Sequence, residues 1–248
     1  RHRGRGREGA HVSPWFRVVG LNLTLPPPRR AACDARGAPD GGHNGVVSAS
    51  HPVLSLWDEP APHHRDRVVT DGRDRVAWFR ARSRGVTASD AARLGSRRAI
   101  AALAREKTSG SGFRGNAYTE HGRRREPEIA AWASRVYQMT ASASLFHAAG
   151  NPLHLATPDG LRERDGRVEL CEIKTTSSAW TTIPRSYLRQ VWWQQYVLGA
   201  ERTLVVWEQH RDFVPVGREP QCRWVDRDET QIRSLVELAD ELLDALRA

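Results

Sequence analysis

Lysine is almost missing from this sequence: Lys107 and Lys174 are the only two in 248 residues, against 38 lysines and arginines together. Cysteine is scarce as well. Cys33, Cys171 and Cys222 lie far apart with no CxxC pair. That excludes the four-cysteine set of an iron–sulfur or zinc centre, gives no disulfide framework, and points to a reducing, cytoplasmic setting. No run approaches the roughly 18 apolar residues of a membrane span, so no membrane partner is expected. The basic N-terminus is not followed by an apolar stretch, so no secretory signal is read there. Methionine occurs once, at Met139, and the chain begins with Arg1. The expectation is either a fragment or a start placed too early, with part of the leading segment not natural protein.

What is abundant is arginine. It sets a net charge of +9 and a pI near 10.4. Surplus guanidinium favours a polyanionic partner, because each phosphate contacted releases counterions. A GC-rich genome that writes arginine at any positive surface position produces the same surplus, so charge alone leaves both readings open. The 39% apolar and 27% charged content fits one ordinary globular domain plus a tail. Residues 1–70 read as that tail. They open RHRGRGREGAH, pass through Pro26-Pro27-Pro28, and lack apolar periodicity, so they are expected to be mostly disordered. Within them Val53–Trp57 is a candidate appended strand. Residues 71–248 are then the folded domain.

In that domain Trp78–Arg82 reads as a short helix broken by Gly85. Thr87 and Asp90 stand at N-cap and N3 of a capping box opening a helix that runs to Ala104. A Gly/Ser-rich loop (108–115) precedes a long helix from Glu120 to Met139, with Ile129, Trp132, Ala133 and Val136 on one face. The period then changes. Strands are expected at Leu153–Ala156, Arg167–Thr175, Thr203–Glu208 and Gln221–Val225, with a helix at Arg185–Leu198. A final amphipathic helix, Asp228–Leu246, turns Ile232, Leu235, Val236, Ala239, Leu242 and Leu243 inward. Helices flanking a small mixed sheet make an α/β or α+β fold.

The chemistry concentrates around Thr157-Pro158-Asp159-Gly160 and Glu172-Ile173-Lys174. Side chains two apart in a strand share a face, so Glu172 and Lys174 point together while Cys171 and Ile173 point away. Twelve residues separate Asp159 from Glu172, room for a turn and a strand that bring Asp159 back beside Glu172. Two carboxylates and an ammonium then converge. Hard divalent cations such as Mg²⁺ or Mn²⁺ take oxygen ligands of this kind, a bound metal polarises phosphate, and a neighbouring lysine balances developing charge. Glu-x-Lys by itself is common and more often a surface cross-strand pair.

The company these residues keep is more specific. The segment from about Trp78 to Trp207 resembles the PD-(D/E)xK nucleases, which share a restriction-endonuclease-like core, and within them the YqaJ-like viral recombinases that include the phage lambda exonuclease. Five blocks recur in order: Trp78–Arg82 with Gly85–Ser89, Gly122–Glu126, Thr157–Gly160, Glu172–Thr175 and Tyr187–Gln190. The resemblance implies that Asp159 and Glu172 are metal ligands with help from the Ile173 carbonyl, and that Lys174 is the catalytic lysine. Glu126 would be a further acidic group; Glu128, about 200° around the helix, matches the Gly122 spacing less well. Gln190 would hold the active strand or a water. Arg82 and Ser89, with Thr87 alongside, would bind phosphate at the substrate's 5′ end, as arginine forks and helix N-termini do.

On this basis the chain is expected to be a Mg²⁺- or Mn²⁺-dependent DNA exonuclease acting 5′ to 3′ on duplex ends for recombination. Implied partners are double-stranded DNA ends, a single-strand annealing protein, and further copies of the chain in a trimer. Another nuclease of the superfamily, RecB-like or restriction-type, and a DNA-binding protein without activity are the alternatives. Three dispersed cysteines argue against the iron–sulfur Cas4-like branch. Adjacent Trp192 and Trp193 lie about 100° apart on a helix, so at most one is fully buried; core packing is favoured over stacking on a frayed DNA end. His121, His147 and His154 lack metal-ligand spacing and read as capping or solvent-exposed. The Arg123–Arg125 run either tracks a phosphate backbone or is a solvated helix face.

Overall fold

A computed structural model describes residues 62–110 and 115–247. The expected strand at Val53–Trp57 and most of the expected tail lie outside these residues. All the described residues belong to one unit spanning Ala32–Ala248. None of their helices is long and apolar enough to cross a membrane.

A 3-10 turn, His64–Arg67, leads into β1 (Val68–Thr70), α1 (Arg75–Arg84), β2 (Val86–Thr87), α2 (Ala88–Arg93), α3 (Arg98–Ser109) and α4 (Ala117–Tyr137). Then come β3 (Thr140–Ala141), β4 (Leu145–His147), β5 (His154–Ala156), β6 (Gly160–Arg164) and β7 (Arg167–Thr176). The chain closes with α5 (Arg185–Leu198), β8 (Arg202–Arg211), β9 (Val214–Pro215), β10 (Gln221–Asp226) and α6 (Glu229–Arg247). Two mixed sheets result, one in the order β1-β4-β5-β2, the other β10-β8-β7-β6-β3 with β9 paired to β8. In the larger sheet β7 and β8 are parallel and the other ladders antiparallel. Parallel neighbours need a crossover, and α5 supplies it. The expected α/β class with helices flanking a mixed sheet is what the fold shows.

Strand parity on β7 divides the core. Val168 and Leu170 join a cluster with Trp193 and Val197 of α5 and Leu235, Ala239, Leu242 and Leu243 of α6. Cys171 and Ile173 pack on the opposite face against Ile129, Trp132 and Ala133 of α4. Each fully buried Leu, Ile or Val side chain of these clusters contributes about 1.5–3 kcal/mol. The inward residues expected of α6 are the ones that pack, with Val236 only partly buried.

Three sequence expectations are revised. Structure begins before residue 71: residues 62–70 hold the 3-10 turn and β1, which pairs with β4. Their anchor is polar. Buried Arg67 donates to the carbonyls of Pro62 (3.0 Å), His147 (2.5 Å), Leu198 (3.3 Å) and Val197, so hydropathy could not reveal it. The helix expected from Thr87 to Ala104 is two helices. Arg189 of α5 caps the Ala92 carbonyl from Nε (3.0 Å) and Nη2 (2.7 Å), the chain turns at Gly95, and α3 restarts at Arg98. Finally, His121 and His154 are buried rather than exposed. His154 rests on Trp193 with ring centroids 4.8 Å apart, while His121 sits edge-on to His210 at 4.5 Å.

Of the paired tryptophans, Trp193 is fully buried with its indole N–H on the Leu155 carbonyl at 3.0 Å. Trp192 is half-buried and donates to the Asp226 carbonyl at 3.3 Å.

Candidate functional site

Asp159 occupies the step between the two sheets: β5 ends at Ala156 and β6 starts at Gly160. Gly160 pairs with Cys171, so the next rung places Asp159 beside Glu172. The Asp159 carboxylate accepts the Ile173 backbone N–H at 2.6 Å. A side chain at position 160 would put its Cβ 3.1 Å from the Thr140 carbonyl oxygen and 3.2 Å from Cys171 Cβ, so the neighbours would have to give by a few tenths of an ångström to admit one. Glu172 and Lys174 project from the same face of β7, and Lys174 Nζ donates to Glu172 Oε1.

Helix α5 completes the coordination of Glu172. Gln190 Nε2 donates to Oε1 at 2.5 Å and Gln194 Nε2 to Oε2 at 2.6 Å. Glu172 is 2% exposed, and a buried carboxylate needs such donors. Gln194, fully buried, was missed in the sequence. Its signal was available: it follows Gln190 by one helical turn, the spacing that puts two side chains on one stripe.

The four charged groups act on one another. Burial raises the Asp159 carboxyl well above the carboxylate range, as do Glu172 and Glu126; Lys174 and the Ile173 N–H oppose the rise without cancelling it. Glu126, on α4, keeps an open side toward solvent, yet the protein crowded around it and the Glu172 charge push its carboxyl upward. Burial works to lower the Lys174 ammonium, but Glu172 and Asp159 outweigh it and hold it above its ordinary value. Carboxylates that resist ionisation beside each other mark surplus negative charge that a cation relieves. The donors are all oxygen, so Mg²⁺ or Mn²⁺ fits them better than a softer ion. Glu128 does not join the cluster; it is exposed and pairs with Arg125.

The arginine run divides. Arg125 is bound bidentately to Glu208 at 2.8 and 2.7 Å, whereas Arg123 and Arg124 are exposed. At the other candidate group, Thr87 is a capping residue, 3% exposed, whose hydroxyl donates to Asp90 at 2.8 Å and accepts the Asp90 N–H at 3.3 Å. Its hydroxyl is therefore committed within the fold. Ser89 is exposed. The Arg82 guanidinium lies over the Trp78 ring, 4.2 Å from its centroid; burial holds it below its ordinary value, with Asp90 opposing.

The larger mixed sheet thus brings Asp159, Glu172 and Lys174 to one point and backs them with the glutamine-bearing helix α5. The chain belongs to the YqaJ-like viral recombinase domain family, whose model matches residues 77–201, half of its length. Its fold is similar to that of an alkaline exonuclease from Laribacter hongkongensis, with a TM-score of 0.54 and 22% identity over 68% of this chain and 91% of that one. A phage-related exonuclease from Haemophilus somnus 129PT is also similar, at a TM-score of 0.51 and 14% identity over 66% of this chain and 95% of that one. The Laribacter protein has also been crystallised with dAMP. No curated protein matches the sequence significantly.

Proposed function

We propose that the chain is a divalent-metal-dependent DNA exonuclease that resects duplex ends. The observation that carries this reading is the meeting of Asp159, Glu172 and Lys174 at one point of β7, with Glu126 near enough on α4 for their charges to act on one another. Asp159, Glu172 and Glu126, with the Ile173 carbonyl, would hold Mg²⁺ or Mn²⁺. Bound there, the ion would polarise the scissile phosphate and make water a better nucleophile. Lys174 carries its proton firmly and places positive charge where a phosphate oxygen gains negative charge. Gln190 and Gln194 fix the Glu172 carboxylate, so its rotamer is settled before substrate arrives. The dAMP bound by the Laribacter exonuclease agrees with a nucleotide substrate.

Polarity follows from the second group. A half-buried Arg82 stacked on Trp78 and under the influence of Asp90, the residue after exposed Ser89, suits a terminal 5′-phosphate, giving 5′-to-3′ digestion and a 3′ overhang for an annealing protein. A ring of three copies encircling the duplex would account for retention on DNA. Thr87 serves this group by shaping the turn.

The test uses purified chain with Mg²⁺ on linear and closed-circular duplex, each strand labelled at one end in turn. Mononucleotides from linear DNA alone, released first from 5′-phosphorylated ends and abolished by EDTA, are expected. Cutting of closed circles would favour a restriction-like endonuclease; binding without cutting would favour an inactive DNA-binding protein. Release first from 3′ ends would refute the role of Arg82 and Ser89.

A further inference from the structure

Away from the acidic cluster, the segment ahead of β1 meets the end of β6. His63, His64 and Glu163 bring one ligand atom each within 4.8 Å of one another. His63 Nε2 is 2.8 Å and His64 Nδ1 3.5 Å from the same oxygen, Glu163 Oε1. Two Zn²⁺ ligands at about 2.0–2.1 Å in tetrahedral geometry stand roughly 3.3 Å apart, and these separations bracket that figure. The other carboxylate oxygen, Oε2, is held by Arg65 at 2.6 Å, which fixes the group while leaving Oε1 toward the histidines.

A second observation points to a ligand. His64 is 3% exposed, yet its Nδ1, which faces Glu163 Oε1 at 3.5 Å, has no hydrogen-bond partner among the described residues. Buried polar atoms are nearly always satisfied, and an orphaned imidazole nitrogen beside another imidazole and a carboxylate is what a metal ion satisfies.

We propose that His63, His64 and Glu163 form a second metal site, selective for a borderline ion such as Zn²⁺ and independent of the nuclease cluster. Ligand chemistry sorts the two sites: two imidazoles with one carboxylate select Zn²⁺ over Mg²⁺, whereas the all-oxygen set at Asp159, Glu172 and Glu126 does the reverse. Three protein ligands leave one tetrahedral position to water. Binding replaces the 2.8 Å His63 Nε2–Glu163 Oε1 contact with bonds from both groups to the ion. It also gives up the 3.3 Å hydrogen bond that His63 Nδ1 accepts from the Arg65 backbone, because a metal on Nε2 moves the ring proton to Nδ1.

The consequence is a clamp between sheets. The histidines open the 3-10 turn that leads into β1 of the smaller sheet, and Glu163 lies on β6 of the larger one. The ion would tie them together one strand away from Glu172 and Lys174.

The experiment is Zn²⁺ titration of the full chain, by calorimetry and thermal unfolding, in an Asp159→Asn, Glu172→Gln background that disables the nuclease cluster. One Zn²⁺ per chain is expected, raising Tm by about 5–10 °C at a hundredfold excess over Kd, with no response to equimolar Mg²⁺. His63→Ala, at a half-exposed side chain, and the near-isosteric Glu163→Gln should each weaken Zn²⁺ binding by about tenfold or more. Zn²⁺ affinity unchanged by both substitutions would overturn the proposal, as would the absence of saturable binding in the disabled background. Since the readouts are binding and unfolding, they stand or fall independently of nuclease activity.

Discussion

Replacing Lys174 with methionine keeps most of the side-chain volume and removes the ammonium that pairs with Glu172 and offsets the charge of Asp159 and Glu126. In the native arrangement Lys174 is 18% exposed and Glu172 2%. Removing one partner of a fully buried pair costs about 3–5 kcal/mol, because the other charge is left uncompensated. Here Gln190 and Gln194 still donate to both Glu172 oxygens, and one side of Lys174 meets solvent. The expected loss is therefore smaller, about 2–3 kcal/mol in metal-free buffer. For a domain of this size that lowers Tm by roughly 5–10 °C. Urea unfolding followed by tryptophan fluorescence in EDTA measures it, with an unchanged m-value showing that both end states are intact. The double variant Lys174→Met, Glu172→Gln removes both charges and should recover at least half of the loss, which makes the coupling visible in a double-mutant cycle. Cleavage should fall by about 10²–10³-fold or more, while affinity for duplex ends stays near native. A single variant as stable as the parent, with no coupling to Glu172→Gln, would refute the electrostatic argument. Retained turnover would refute the catalytic one.

Gln194→Leu deletes the donor to Glu172 Oε2 and leaves a buried acceptor unmatched, at about 1–3 kcal/mol; chemical unfolding checks this, and a loss below experimental error would show that water replaces the amide. Gly85→Ala would place a Cβ 2.3 Å from the Leu153 carbonyl oxygen and 2.7 Å from Leu155 Cδ1. It should cost about 1–3 kcal/mol and reduce the preference for 5′-phosphorylated ends, since α1 with Arg82 and the Thr87 turn diverge from this point; an undisturbed stability would mean that β2 can separate from β5 freely. The pH dependence follows from three histidines, His64, His121 and His154, which burial holds below the usual range. They stay neutral in the fold while the unfolded chain takes up protons as pH falls through about 6.5, so stability should drop between pH 7.5 and 5.5. The raised carboxyls of Asp159 and Glu126 oppose this, because protonation relieves them on acidification; urea midpoints are therefore compared in an Asp159→Asn, Glu126→Gln background, where a flat profile would refute the histidine assignment.

The period-2 rule places Glu172 and Lys174 on one face of β7 and sends Cys171 and Ile173 to the other, as found. The Thr87–Asp90 capping box was legible because capping is local chemistry at fixed spacing. Helix α5 runs over the expected Arg185–Leu198. What escaped is long-range. Strands β1, β3 and β4 have two or three residues each, too few for a period to register, and they exist because neighbours complete their ladders. The α2–α3 break is imposed by Arg189, 97 residues away from the carbonyl it caps. Burial of His154 depends on partners at 196 and 240, and no spacing rule connects those positions.

In the Pro158-Asp159-Gly160 segment the proposed catalytic pattern and the fold are hard to separate. Up to Gly160 the β6–β7 ladder follows an ordinary antiparallel register. At Asp159 a side-chain carboxylate, rather than a backbone carbonyl, takes the Ile173 N–H, while the Asp159 carbonyl turns aside to accept the Ser142 N–H at 3.0 Å. The neighbouring strand thus leaves β7 one residue before Glu172, and the N–H that would be orphaned by its departure is satisfied by the same carboxylate. Opening a sheet next to a charged residue ordinarily costs both a hydrogen bond and a desolvated charge. Here one aspartate meets the first cost and adds to the second, raising its own carboxyl in the process. That surplus charge is what the proposed divalent cation would neutralise, so the residue that ends the strand is also the one that would call for the metal.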